Sequence, residues 1–99
     1  MNNGKATYYV RQAIEDGEVK YNYRHLRKRL REHEIDMRDV EAVLFSGEVQ
    51  RVVWKKDIKV WECKMVGLDS NGDQISVGLY LYKENHLIVV TTAFRPDGR

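Results

Sequence analysis

A histidine and an arginine one helical turn apart are the most chemically suggestive residues of this chain. His25 and Arg29 stand so within Y-R-H-L-R-K-R-L-R-E-H, Tyr23 to His33. Histidine ionises near neutrality, which suits it to proton transfer. Arginine is planar and always charged, which suits it to a pair of phosphate oxygens. Six Lys or Arg and no acid fall between Lys20 and Arg31. Arg51, Lys55, Lys56, Lys59 and Lys64 add a second basic group. Clustered positive charge attracts polyanions, because each phosphate contact releases counterions. A solvated helix face accounts for the same charges equally well.

Other chemistries find little support. Cys63 is the only cysteine, so no intrachain disulfide or zinc knuckle can form, and a lone cysteine inside a strand reads as core. His33 and His86 have no partner at metal-ligand spacing and read as surface residues. Trp54 and Trp61 read as core or interface anchors. There is no phosphate loop and no nucleophile triad. No cofactor and no metal are expected.

The elements that must position the pair come from length and patterning. Ninety-nine residues suit a single domain, 1–99, with residues 1–5 and 95–99 expected to be flexible. At 42% hydrophobic and 32% charged the composition is that of a folded domain, not a disordered one. No apolar run approaches the roughly 20 residues of a membrane span, and the first residues lack the apolar core of a signal peptide, so a cytoplasmic protein is expected.

Helical spacing predicts a first helix over Thr7 to Asp16, closed by Gly17. Glu18 to Asn22 reads as a short edge strand or an extended linker. The basic helix spans Tyr23 to His33, with Tyr23, Leu26 and Leu30 as its buried stripe and His25 and Arg29 on one flank. Asp36 is a good N-cap for a second amphipathic helix, which buries Met37, Val40, Val43 and Leu44. Gly47 is expected to end that helix in a left-handed cap. Four strands follow at Glu48–Trp54, Ile58–Gly67, Gln74–Tyr82 and His86–Phe94. Asn71-Gly72 marks a hairpin between the second and third. The last runs continuously apolar from Leu87 to Val90, as a central strand does. Helices followed by an antiparallel meander give an α+β class: N-terminal helices on one face of a four-stranded antiparallel sheet.

The run from His25 to Val49 resembles the signature of a family of small bacterial and phage domains of unknown function. That signature is His-Ala, an Arg four after the His, Arg-Gly-Ile-Ser, then a helix ending in Gly-Glu-Val. His25, Arg29, Ile35, Asp36, Val40, Leu44, Gly47, Glu48 and Val49 match it, while Leu26 replaces its Ala and His33-Glu34 its Arg-Gly. The hairpin from Gly67 to Leu79 and the final V-V-T-T strand extend the likeness to most of the chain, from about Ile14 to Arg95. The family is similar to the RelE-like, barnase-like (BECR) ribonuclease-toxin superfamily. The resemblance implies a metal-independent RNA-cleaving toxin fold, with RNA as target and an antitoxin protein as partner.

Such cleavage needs a base for the ribose 2′-OH, an acid for the leaving 5′-oxygen and cations for the phosphate. His25, Arg29 and Thr92 are therefore the candidate catalytic residues. Arg24, Lys28, His33, Tyr80, Tyr82 and Arg95 are the candidate nucleic-acid contacts, the tyrosines by stacking on bases. A non-catalytic RNA-binding or interaction domain on the same scaffold competes with this reading. A homodimer joined by edge strands is a third.

Overall fold

Asn2 sets the start of the first helix, and Met1 before it packs against the core. In the computed structural model, which describes residues 1–96, the Asn2 side chain accepts a hydrogen bond from the Lys5 amide at 2.8 Å and caps helix α1, Asn3–Asp16. The helix therefore starts at Asn3 rather than Thr7, because an N-cap asparagine satisfies a free amide of the first turn. Ala6, Val10 and Ala13 form its buried stripe. Strand β1, Glu18–Tyr21, follows at once, then α2, Tyr23–His33, and α3, Met37–Ser46. Asp36 caps α3 in a reciprocal box with Asp39, as its position before the apolar run indicated.

The remaining strands are β2, Glu48–Lys55; β3, Val60–Leu68; β4, Gln74–Tyr82; and β5, Leu87–Phe94, with a 3-10 turn at Lys83–Asn85. The expected meander β2-β3-β4-β5 is present. The expectation of four antiparallel strands is corrected, since the sheet has five in the order β1-β5-β4-β3-β2 and is mixed. Strand β1 pairs in parallel with β5, Glu18 opposite Leu87 and Tyr21 opposite Val90. Of the two readings of Glu18 to Asn22, edge strand or linker, the structure takes the edge strand; its partner lies almost at the other end of the chain, where no local pattern points. The apolar run in β5 has its cause here, because β5 is an interior strand.

Gly17 and Gly47 close α1 and α3 as expected, but the left-handed cap expected at Gly47 does not form. Neither Gly17 (φ −116°) nor Gly47 (φ −76°) is left-handed. A Cβ on Gly17 would stand 1.9 Å from the His86 carbonyl oxygen, and one on Gly47 2.6 Å from that of Val66. Both let backbone approach backbone. The Asn71-Gly72 turn forms as read, with Gly72 at φ 83°.

Helices α1 and α3 and the buried Leu26 of α2 share one core with Ile75, Val77, Leu79 and Leu81 of β4 and Ile88 and Val90 of β5. Side chains alternate along a strand, so Ser76, Gly78, Tyr80 and Tyr82 of β4 face the other way. That second face carries no helix. α2 packs against β5. Tyr23, expected in its buried stripe, is half exposed instead, its ring 5.6 Å from that of Tyr21 where β1 passes into the helix.

Leu26 is the only fully buried residue of α2. Leu26→Ala is therefore expected to lower the unfolding free energy by about 2–5 kcal/mol, measured by urea denaturation.

Candidate nucleic-acid interface

Helix α2 presents Arg24, His25, Lys28 and Arg29 to solvent. Their exposure follows from the narrowness of the apolar stripe, which leaves most of the helix circumference polar. Arg29 and Lys28 both lean on Glu32, at 3.3 and 3.8 Å. Exposed pairs of this kind contribute little, so a phosphate can displace the carboxylate at small cost.

The end of α2 is built differently. Glu34 adopts a left-handed conformation (φ 52°), and its amide and that of Ile35 turn back onto the Arg31 and Leu30 carbonyls, which leaves the carbonyls of His33 and Glu34 for another donor. Arg95 fills them. Its Nε donates to the His33 carbonyl at 2.8 Å and one terminal nitrogen to the Glu34 carbonyl at 3.1 Å, while the other reaches Asp69 Oδ2 at 2.8 Å. Asp69 Oδ1 accepts the amides of Asn71 and Asp73 and so shapes the β3–β4 turn. Arg95, expected at the RNA, is thus committed to internal partners. It was also expected in a flexible end of the chain; residues 97–99 lie outside the described residues, but Arg95 itself is held. His33 is half-buried beside it, its Nδ1 accepting from the Arg95 amide at 3.5 Å. Glu32, Glu34 and Asp73 line the cleft at this corner together with His33 and Arg95.

Thr92 and Tyr80 lie on the helix-free face of the sheet. Thr92 opposes Gly78 across the β4–β5 ladder, and Tyr80 opposes Val89. Tyr82 shares the face but also borders a cleft with Trp54, Trp61 and Lys83. Around Thr92 runs a cleft of about 310 Å³ lined by Arg51, Val53, Glu62, Cys63, Lys64, Gly78, Leu79, Thr91 and Phe94. None of these comes from α2, so the structure does not gather His25, Arg29 and Thr92 into one cleft. Arg51, Lys64 and Phe94 were missed as site residues. Their charges and ring were visible, but only strand register brings them together.

Cys63 is buried and is no nucleophile, for burial first and Glu62 second push its thiol up to about 12. Among the described residues no group of three or more His, Cys, Asp or Glu could hold a metal ion. No helix among them is long and apolar enough to cross a membrane.

The family model described as Domain of unknown function (DUF4258) matches residues 23–95. The chain belongs to that family. The matched segment opens on the first residue of α2 and closes on Arg95, so it takes in the basic helix and its clamp and leaves out α1 and β1. No curated protein and no solved structure matches the chain.

Two outcomes follow from these groups. Its hydrogen bond from Arg95, then that from the Asp73 amide, holds the Asp69 carboxyl below its ordinary 3.8. A depressed carboxylate stabilises the fold above the unfolded value and ceases to do so as pH falls through the folded one. Asp69→Asn should lower Tm by several degrees at neutral pH and make the Tm less sensitive to acid below about pH 4, by thermal melts across pH. Cys63 should resist a thiol-titrating disulfide reagent in the native protein and react once the chain is unfolded in urea.

Proposed function

We propose that this domain is a toxin-like RNA-binding module that acts in the cytoplasm. The supporting observation is the solvent-facing row of cations on α2, a helix whose end Arg95 ties down; a sheet face that no helix covers adds to it. Single-stranded RNA asks for both parts: cations for its backbone and ring systems for its unstacked bases. Arg24, Lys28 and Arg29 supply the first, and Tyr80 and Tyr82 the second.

Metal-independent endoribonuclease cleavage is the second reading, favoured by His25 standing exposed one turn from Arg29. In it Arg29 neutralises the phosphate while His25 accepts the proton of the ribose 2′-OH. The 2′-oxygen then attacks phosphorus, and the 5′-oxygen departs with a proton from a separate acid. Thr92 does not supply that acid from the same cleft, and an alcohol is a poor proton donor at neutral pH. Binding therefore carries the proposal, and cleavage is its enzymatic extension. The partner of such a toxin would be an acidic antitoxin that masks α2.

The experiment measures binding of a labelled single-stranded RNA at several salt concentrations, and its integrity in the presence of a chelator. The expected result is salt-dependent binding that weakens about tenfold or more when Arg24 and Arg29 are both replaced by Gln. RNA that is cut by the wild type and spared by His25→Ala would assign proton transfer to His25. Equal cutting by both removes His25 from the reaction. An absence of binding at low salt refutes the proposal as a whole.

A further inference from the structure

We propose a second anion site, on the sheet rather than on α2, that takes a backbone phosphate of the same single strand. It rests on the RNA-binding reading and names where the strand continues. The site is one row of residues across four strands. Arg51 on β2 opposes Lys64 on β3, Lys64 opposes Gly78 on β4, and Gly78 opposes Thr92 on β5. Residues directly opposite in a ladder share a face, so all four turn toward the helix-free side.

The third residue of the row has no side chain, and the Thr92 methyl fills the room one would take: a Cβ on Gly78 would stand 2.6 Å from Thr92 Cγ2. The cleft opens beside that methyl, over the Gly78 backbone and between Arg51, Lys64 and Thr92. The ladder is irregular at the same place. Thr91 is the extra residue of a bulge between the Gly78–Thr92 and Leu79–Val90 pairs, and its hydroxyl donates to the Gly78 carbonyl at 3.2 Å. Bulges re-aim the side chains beside them. Here the bulge accompanies a notch floored by backbone and walled by Arg51, Lys64 and Thr92.

Charge decides what the notch would take. Arg51 and Lys64 are like charges directly opposed, an arrangement that costs stability. Neither makes an ion pair among the described residues, whereas Lys55, on the same face, reaches Glu62 at 3.8 Å. Glu62 is the one carboxylate lining the cleft. A cation at a sheet edge can serve simply to discourage edge pairing, which would explain Arg51 on β2. It does not explain Lys64, since β3 lies inside the sheet. An anion between the two turns the repulsion into attraction. Phe94 lines the same cleft and Tyr80 lies one row away on the same face, so a base next to that phosphate has a ring to stack on. Phosphate flanked by a base fits a free nucleotide as well as a strand; the continuity of this face with the Tyr80–Tyr82 surface favours the strand.

The test follows the backbone amides of the full chain by nuclear magnetic resonance during titration with inorganic phosphate, with uridine monophosphate and with a short oligouridylate. The expected result is movement of the Lys64, Gly78 and Thr92 amides with all three, at the lowest concentration with the oligonucleotide. A nucleotide that binds as tightly as the oligonucleotide overturns the strand assignment. Amides that stay still with phosphate overturn the site. Arg51→Gln with Lys64→Gln should abolish those shifts, weaken oligonucleotide binding about tenfold and reduce the salt slope by about 0.7 for each phosphate no longer neutralised. Arg51→Gln alone should raise the Tm of the free protein, since it removes the opposed charge. If the double variant binds with wild-type affinity and slope while the α2 variants do not, RNA binding stands and this site falls. If the wild type binds no RNA, the parent reading fails, and the phosphate titration still decides whether the notch holds an anion.

Discussion

One guanidinium joins three parts of this molecule. Arg95 follows the last residue of β5, yet its donors end on two carbonyls at the close of α2 and on the carboxylate that shapes the β3–β4 turn. A helix end needs partners for its open carbonyls, and arginine can serve two of them and a carboxylate at once because its donors form a planar fork. The consequence reaches beyond the corner. α2 buries only Leu26 fully, so its orientation depends on how its ends are tied. At its start the Asn22 amide bonds the Val90 carbonyl, and at its finish Arg95 holds it. The basic surface is therefore presented by a helix fixed at both ends and only lightly packed between them.

The distribution of polar groups follows from layering. Apolar surface is spent on one side of the sheet, where α1 and α3 sit. Cations and rings are left on the other, where Arg51, Lys64, Tyr80 and Phe94 lie in neighbouring rows. A chain of this length has one core, and an uncovered sheet face is what remains once two helices have filled the other side.

α1 has a separate duty. It lies outside the segment that matches the family, yet it closes an edge that segment would leave open. The Thr7 hydroxyl accepts from the Val49 amide, Asn3 donates to the Gln50 carbonyl, and Arg11 donates to the carbonyls of Phe45 and Gly47. Unpaired strand edges invite pairing with other chains, and side chains from α1 occupy the first half of this one. The third sequence reading, a dimer through edge strands, would have to use what α1 and the short β1 leave uncovered.

The amino-acid sequence by itself determined whatever depends on neighbours along the chain. The limits of α2, the capping box at Asp36, the Asn71-Gly72 hairpin and the alternation of Gln74 to Tyr82 all follow from spacing and local hydrogen bonding, and all are present. It also placed His25 and Arg29 on an exposed flank, because a helix turns by a fixed angle per residue. Tertiary structure alone decided what depends on partners far away. The parallel pairing of β1 with β5, the close approaches that require Gly17 and Gly47, the capture of Arg95 by Asp69 and the row from Arg51 to Thr92 join residues tens of positions apart. No local pattern encodes such pairings, since they arise from the register in which one buried face forces the strands to align.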